Sequence, residues 1–394
     1  MPQVARRLDT LPEYALARVP QRKRELLAAG VDVIDLGAGD ADLLPPAAAQ
    51  QRLAQAAAIP AMNRYGFGLG LVEFRQAAAT WMGKRFGVRF DPMTEIVPLL
   101  GSKEGISHLA LAYVDPGQVT IVPEPGYNSY LGGTRLAGGE PYRYALRPRT
   151  NFLVELDDIP ADVLRRARML YLNYPNNPTG AIAPREYLER VVRRCRELDL
   201  LLVYDNAYSE LAYDGYVPPS IFEIEGARDV AVEFHSMSKT YNMTGWRCGW
   251  AAARPEIASA LAKVKTFVDT GSFMAVQAAA VAALESYDAW VPKNVAVFKE
   301  RRDAAVNAFR AAGFEVESPR ATMYLWVPLP AGIPSAKFAE RLLDDEGVIV
   351  LAGSGFGEGG EGFFRVSFIT GPDRLAEAAR RAERVLESLT AGVA

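Results

Sequence analysis

The chain has 394 residues, a formal net charge of -3, and 49% apolar and 23% charged residues. This length exceeds what one hydrophobic core usually fills, so the sequence predicts two domains. The composition is typical of an ordinary soluble enzyme, and the small net charge gives no reason to expect nucleic acid or an anionic membrane as a partner.

The few cysteines and histidines further restrict the cellular compartment and the kinds of catalytic site to be expected. The two cysteines, Cys195 and Cys248, do not make a disulfide framework, so a reducing, cytoplasmic compartment is expected. The residues up to Asp32 contain no apolar run of signal-peptide length, and no segment approaches the roughly 18 apolar residues of a membrane helix. Two histidines, His108 and His235, argue against a histidine-built metal site and against a Ser-His-Asp hydrolase.

The N-terminal part of the chain predicts an arm followed by glycine-rich loops. Residues 1–30 form the arm, which ends in a helix over about 21–29. A short strand over 31–36 then leads into a turn-rich loop. Further along, Ser102 and Lys103 lie in the first turn of a predicted helix, and such a helix N-terminus is either an anion site or an ordinary cap.

From residue 119 onward, strands alternate with helices. Predicted strands cover 119–122, 169–173, 200–204 and 230–235, and an amphipathic helix covers 185–198. This alternation predicts an α/β fold with a largely parallel sheet, in which ligands bind beyond the carboxyl ends of the strands. Four residues that follow these strands should therefore meet in one crevice; they are Tyr127, Asn177, Asp205 and Lys239.

The remaining chain predicts a smaller C-terminal domain. A long helical region is expected over about 276–311, with strands at 322–328 and 363–369 and a final helix after them. We predict a large domain over residues 31–270 and a small α+β domain over 271–394, to which the N-terminal segment contributes.

The run Ser236-Met-Ser238-Lys239, followed by Arg247, indicates a chemical role. Serine hydroxyls and an arginine near a strand end suit a phosphate. A lysine that is partly desolvated beside other cations becomes a nucleophile for a carbonyl. A phosphate-bearing aldehyde joined to Lys239 fits these facts, and pyridoxal phosphate is the common one. The alternative is an ordinary surface lysine, because short motifs often match by chance.

Other residues match what a pyridoxal ring needs. Its nitrogen requires a carboxylate, for which Asp205 is the best candidate, although an N-cap aspartate is the alternative. Asn177 and Tyr208 can donate to the ring oxygen, while Asn-Pro sequences also simply form turns. Tyr127 can stack on the ring face. Arg365, a lone charge within a strand, fits either a substrate carboxylate or a structural ion pair.

With these residues identified, the chain resembles the class I/II aminotransferases of the pyridoxal-phosphate fold type I group over essentially its full length. The likeness rests on NNPTG at 176–180, DNAY at 205–208, SMSKTYNMTGWRCGW at 236–250 and FFRVSF at 363–368. It implies a large domain with a mostly parallel sheet flanked by helices, and a smaller α+β domain. It also implies amino transfer from an amino acid to a 2-oxo acid in two half-reactions on pyridoxal 5'-phosphate.

The resemblance further implies a role for each site residue. Lys239 would bond to the cofactor aldehyde and carry the proton between substrate and cofactor. Asp205 would pair with the ring nitrogen, while Asn177 and Tyr208 would bond the ring oxygen. In an obligate homodimer, Tyr65 would reach the phosphate across the subunit interface. The residues implied around the phosphate within one chain are Ser102, Lys103, Ser236, Ser238 and Arg247.

The substrate side of the site resembles one branch of the family, the diaminopimelate and alanine type. The stretches concerned are LPEYALARV at 11–19, GVDVIDLGAGDAD at 30–42 and GSKEGISHL at 101–109. By this likeness Tyr14 would approach the substrate. The resemblance to the whole family implies that Arg365 would clamp the substrate carboxylate, with Gly39 and Asn177 close by.

Two departures bear on the amino donor. Ala41 stands where that branch usually has proline, which loosens the loop near the substrate. The stretch Phe267–Phe273 lacks an arginine of the kind that a partner subunit supplies to select aspartate or glutamate. A strict aspartate aminotransferase is disfavoured unless another arginine substitutes, and the donor stays open; the candidate substitutes are Arg18, Arg64 and Arg135.

Two other activities are compatible with parts of the pattern. A β-elimination enzyme of the cysteine-S-conjugate lyase kind shares the fold and every cofactor contact. A non-catalytic ligand sensor of the same fold would require additional DNA-binding sequence, and no basic or helix-turn-helix appendage is present. The sequence therefore favours an aminotransferase whose partners are amino acids, 2-oxo acids and a second copy of the chain.

Overall fold

The computed structural model describes residues 2–11, 19–66 and 70–391. Within these residues the strands, in chain order, are β1 (Ile34–Asp35), β2 (Ile96–Leu99), β3 (Val119–Glu124), β4 (Glu140–Ala145), β5 (Ala167–Leu172), β6 (Leu201–Asp205), β7 (Ala231–Ser236), β8 (Gly249–Ala253), β9 (Tyr324–Pro328), β10 (Val348–Ile349), β11 (Leu351–Ala352) and β12 (Phe363–Ser367).

The α-helices of the described residues, in chain order, are α1 (Val19–Ala28), α2 (Ala47–Ala57), α3 (Val72–Phe86), α4 (Ser102–Tyr113), α5 (Asn128–Leu136), α6 (Ala161–Arg166), α7 (Arg185–Leu198), α8 (Ala227–Val230), α9 (Met237–Thr240), α10 (Pro255–Val268), α11 (Met274–Glu285), α12 (Tyr287–Ala311), α13 (Ser335–Glu346) and α14 (Pro372–Ala391). None of them is both long enough and apolar enough to cross a membrane.

A seven-stranded sheet in the order β2-β8-β7-β6-β5-β3-β4 forms the centre of the fold. Strands β4, β3, β5, β6 and β7 are parallel, and β8 runs antiparallel to both β7 and β2. The inner strands are buried on both faces, since Leu202 and Tyr204 pack into one apolar cluster and Val203 into another. The prediction of an α/β fold with a largely parallel sheet is confirmed.

The second sheet lies in the C-terminal part and has the antiparallel order β11-β12-β9. Beside it, β1 pairs in parallel with β10, and the amide of Ser367 donates to the carbonyl oxygen of Leu36 at 2.9 Å. Thus the segment after the N-terminal helix is hydrogen-bonded to the C-terminal elements. The division at residues 270 and 271 stays a prediction.

The boundaries differ from the predicted ones in several places. The helical region expected over 276–311 is two helices, α11 and α12, separated at Ser286. The strand expected at 230–235 begins one residue later, because residues 227–230 form the short helix α8. Of the strand expected over 31–36, only Ile34 and Asp35 form the strand β1, and Leu36 adds backbone hydrogen bonds to Ile349 and Ser367.

Candidate active site

One cavity, of about 240 Å³, lies beyond the carboxyl ends of β5, β6 and β7. Most of the residues predicted for the site line it: Gly39, Ser102, Lys103, Tyr127, Asn177, Asp205, Tyr208, Ser236, Ser238, Lys239, Arg247 and Arg365. Tyr65 does not line this cavity, and 72% of its surface is exposed. Tyr14 lies outside the described residues. The roles of these residues remain predictions.

One end of the cavity is suited to an anion. Helix α4 begins there at Ser102, so unpaired backbone N–H groups of its first turn face this region. Arg247 donates to the carbonyl oxygens of Thr244, at 2.8 Å, and Leu100, at 3.1 Å. Its guanidinium packs so closely on Gly101 that an added Cβ would lie 2.5 Å from Nη2. This approach, together with a φ of +77°, requires glycine at position 101.

Asp205 ends strand β6 and is buried. Tyr130 donates to its Oδ2 at 2.9 Å, and Asn173 donates to its backbone oxygen at 2.7 Å. The other carboxylate oxygen, Oδ1, is buried and makes no well-formed hydrogen bond. Burial raises the pKa of Asp205 to about 6, although the Tyr130 hydrogen bond, the charge of His235 and the Ala207 amide oppose the rise.

Lys239 lies in the short helix α9, directly after β7. Its Nζ donates to the carbonyl oxygen of Gly39. A Cβ at Gly39 would lie 2.1 Å from the hydroxyl of Tyr324, so any other residue there would displace the Tyr324 ring. The Tyr324 hydroxyl is in turn 3.0 Å from that of Tyr208. Burial, and then the neighbouring Tyr324, raises the pKa of Tyr208, so Tyr208 is a neutral donor.

Arg365 is 4% exposed and lies in the middle of β12. It donates to Asn177 Oδ1 at 2.8 Å and to the backbone oxygen of Gly37, while its Nε is buried without a partner. The guanidinium carbon lies 4.2 Å from the ring centroid of Tyr324 and 5.0 Å from that of Phe356. Among the described residues, no carboxylate forms an ion pair with Arg365, which argues against a structural ion pair.

The predicted aromatic cover, Tyr127, lies immediately before α5. Its ring meets the ring of Tyr130 edge-on, with the centroids 5.7 Å apart, and the Nζ of Lys103 lies 6.0 Å from its centroid. Tyr127 therefore lies between the anion end of the cavity and the tyrosine that contacts Asp205.

Several residues of the cavity were not predicted. Tyr324 and Phe356 line it beside Arg365, and Asn173 donates to the Asp205 carbonyl and accepts from the Asn177 amide at 2.7 Å. Tyr130 supports Asp205 from outside the lining. Only Asn173 could have been found from the sequence, since it is an asparagine at the end of a buried strand. The aromatic residues gave no signal, because they occupy ordinary core positions in their elements.

Comparison with known proteins identifies the family of the chain. The model of the family described as aminotransferase class I and II matches residues 31–382. The chain belongs to this family. It is 46% identical over 384 residues to an LL-diaminopimelate aminotransferase of Moorella thermoacetica, covering 98% of each chain.

Solved structures agree with the family. The aminotransferase superposes on a probable N-succinyldiaminopimelate aminotransferase of Thermus thermophilus with a TM-score of 0.89, at 37% identity, covering 94% of this chain and 100% of that one. It also matches substrate-bound BacF of Bacillus subtilis with a TM-score of 0.93, at 31% identity and 98% coverage of both chains. The predicted fold type I architecture is confirmed.

The family is dependent on pyridoxal phosphate, so this protein is a pyridoxal-phosphate-dependent aminotransferase, as predicted. The comparisons do not favour the β-elimination alternative. The residues of the cavity also fit the cofactor physically. A buried carboxylate with an unpartnered oxygen, such as that of Asp205, is suited to a cationic ring nitrogen. The helix terminus and Arg247 suit its phosphate.

Proposed function

We propose that the aminotransferase uses LL-diaminopimelate as an amino acid substrate, with a 2-oxo acid as the partner substrate. The observation that carries this proposal is the similarity to LL-diaminopimelate aminotransferases, at 46% identity over 98% of both chains in the Moorella thermoacetica protein. A second such relative, from Desulforudis audaxviator, is also 46% identical over 98% of both chains.

The charges of the cavity support this substrate class. Arg365 offers a buried guanidinium for the α-carboxylate, and the other cations of the described lining, Lys103, Lys239 and Arg247, face the cofactor end. Aspartate and glutamate present an additional negative charge that would need another cation. The distal end of diaminopimelate carries both an ammonium and a carboxylate, so it is neutral overall and needs no such cation.

The proposed residue roles follow from the contacts. Bound pyridoxal phosphate supplies an electron sink for the substrate α-carbon and a carrier for the amino group. Lys239, held at the Gly39 carbonyl, provides the amine that binds the cofactor and moves a proton at the substrate α-carbon. Asp205 would keep the ring nitrogen protonated, and Tyr208, which is neutral, would donate to the ring oxygen.

The remaining contacts hold the ends of the cofactor and the substrate. Tyr127 would cover the ring, and Asn177, which accepts from Arg365, would bond the ring oxygen. The phosphate would be held by Ser102, Lys103, Ser236, Ser238 and Arg247. Ser236 already accepts from the Ser238 amide at 3.2 Å, which orders this turn before any ligand binds.

The substrate is tested by a donor panel with 2-oxoglutarate and pyruvate as acceptors. We expect LL-diaminopimelate to exceed alanine, aspartate and glutamate in kcat/KM by about tenfold or more, a difference of about 1.4 kcal/mol. The meso isomer, which has the same groups but one inverted centre, is the matched control. A higher kcat/KM for alanine or aspartate would overturn the assignment, and continuous release of ammonia from a donor alone would indicate elimination.

Lys239 is tested by borohydride reduction and intact-protein mass spectrometry. Reduction should fix the cofactor mass on the wild-type chain and not on Lys239→Ala. Lys263→Ala, at a separate lysine of α10, serves as the control and should retain the added mass. An adduct that persists in Lys239→Ala would refute the proposed role.

We also infer a homodimer with shared sites, in a cytoplasmic location. Apolar side chains exposed in one chain support the dimer, including Phe267 at 85% exposure and Phe273. Gly66 packs against Met274, so Tyr65 and Phe273 belong to one surface region. The location rests on the two cysteines, which are buried and unpaired. Light scattering tests the dimer, and fractionation of the source cells tests the location.

A further inference from the structure

Behind the first turn of α4 lies a cluster of charged side chains that the reaction does not use directly. It consists of Glu104 and His108 of α4 with Lys265 and Asp269 of α10 and its C-cap, and each side chain is only 8–14% exposed. Glu104 Oε1 lies 2.5 Å from His108 Nδ1 and 2.9 Å from Lys265 Nζ. Lys265 also contacts both carboxylate oxygens of Asp269 at 3.1 Å.

The cluster keeps Glu104 ionised and fixed. Burial alone would raise the pKa of Glu104, but the close contact with His108 and the Lys265 charge together lower it to about 2. With Oε1 engaged by these two groups, the second oxygen of the carboxylate has a defined position. Glu104 is therefore a rigid acceptor at the third position of α4.

That second oxygen holds the turn at the anion end of the cavity. Glu104 Oε2 accepts the backbone N–H of Leu100, the residue before the N-cap Gly101, at 3.1 Å. The carbonyl oxygen of the same Leu100 accepts from Arg247 at 3.1 Å. Leu100 is thus held on both sides, by Glu104 through its N–H and by Arg247 through its C=O. Gly101 and Ser102 follow it directly.

We propose that Glu104, fixed by His108 and Lys265, is a positioning residue for the cofactor phosphate. Through Leu100 it sets the turn that presents Gly101 and Ser102, and it sets the distance of that turn from Arg247. This inference rests on the proposed phosphate site. It assigns Glu104 no contact with the cofactor; its effect is transmitted by one backbone hydrogen bond.

The positioning role predicts a loss that is specific to the phosphate group. Glu104→Met fills similar space but cannot accept from the Leu100 N–H. Glu104→Gln also lacks the charge that pairs with Lys265, yet its amide oxygen can still accept from that N–H. Both variants should lose stability, but only the methionine variant should lose recognition of phosphate.

The test compares dissociation constants of pyridoxal phosphate and pyridoxal, which lacks the phosphate, for the full-length chain freed of cofactor. The readout is the ratio of the two constants, which a general loss of stability leaves unchanged. We expect Glu104→Met to reduce the preference for pyridoxal phosphate by about tenfold or more, and Glu104→Gln to stay within about threefold of wild type. Inorganic phosphate should compete correspondingly less well in Glu104→Met.

Arg247→Met separates failure of this inference from failure of the phosphate site. If Arg247→Met abolishes the preference while Glu104→Met leaves it unchanged, Glu104 is only structural. Equal losses in Glu104→Met and Glu104→Gln would overturn positioning through Leu100. An unchanged preference in Arg247→Met would overturn the phosphate site and this inference with it. If Glu104→Met does not fold, Glu104→Asp, which is one carbon shorter, replaces it with the same expected loss.

Discussion

Tyr130 donates a hydrogen bond of 2.9 Å to Oδ2 of Asp205, from a helix 75 residues earlier in the chain. The ring of Tyr130 is itself fixed, because it stacks on Tyr171 with the centroids 4.8 Å apart. Asp205 is thereby oriented through one oxygen while Oδ1 has no partner, as the proposed pairing with the cofactor ring nitrogen requires. A core tyrosine thus determines the orientation of the carboxylate that we propose to be catalytic.

Tyr130→Phe should remove this hydrogen bond while keeping the ring stack. The pKa of Asp205 should then rise above about 6, since the Tyr130 bond opposes the effect of burial. We expect kcat/KM to fall roughly tenfold, in line with about 1.5 kcal/mol for a hydrogen bond to a charged group. The pH dependence of kcat/KM measures both changes. Tyr171→Phe, which leaves the hydrogen bond to Asp205 intact, is the control. Equal effects of the two substitutions would contradict the role.

Asp205→Asn should change the pH dependence of stability in the cofactor-free chain. Because the folded-state pKa of Asp205 is about 6 and its reference value is 3.8, ionisation of this group opposes folding. The wild type should therefore lose stability relative to Asp205→Asn as the pH rises from about 4 to about 6, by at most roughly 3 kcal/mol. Urea unfolding of both proteins across this range measures the difference. A difference independent of pH would contradict burial as the cause.

Arg365 should discriminate amino acids from simple amines. Arg365→Leu removes the buried guanidinium, so kcat/KM for amino acids should fall roughly 100-fold, or about 3 kcal/mol. Amines without a carboxylate should be affected little. Arg365→Lys keeps the charge without the planar fork and should lie between the two. Equal losses for amino acids and amines would instead indicate a structural role.

Tyr65 should act on the site of the partner subunit in the proposed dimer. Lys239→Ala and Tyr65→Phe chains, combined in one heterodimer, would leave one native site of the two. Purified heterodimers carrying two different tags should therefore be more active than either parent homodimer. Lack of recovery in verified heterodimers would count against shared sites.

The sequence could predict the residues that follow strand ends, since backbone topology alone brings such positions to one edge of a sheet. The structure accordingly has Asn177, Asp205 and Lys239 in one cavity. The sequence could not predict the roles of Tyr130 and Tyr324, because each looks like an ordinary core aromatic residue within its element. Their contacts join residues 75 and 116 positions apart, and local patterns carry no information at that range.

The sheet was predictable where apolar β-branched residues are frequent and less so elsewhere. Strand β8 reads Gly-Trp-Ala-Ala-Ala and has no β-branched residue, so its sequence gives a weak strand signal. Its pairing with β7 and β2 completes the sheet and sets its antiparallel edge. Likewise β4 is a partly exposed edge strand and lacks the continuous apolar run of a buried one.

The pairing of β1 with β10, and of Leu36 with Ser367, has a mechanical consequence. Gly37 and Gly39 lie shortly after the end of β1 at Asp35, and the backbone oxygen of Gly37 accepts from Arg365. A displacement of the C-terminal sheet would therefore move Gly37 and Arg365 together relative to Asp205 on the central sheet, and it would have to break the hydrogen bonds from Arg365 to Asn177 and from Lys239 to Gly39. Such a movement would accommodate substrates of unequal length by changing one distance, that between Arg365 and Asp205, without separate rearrangement of each side chain.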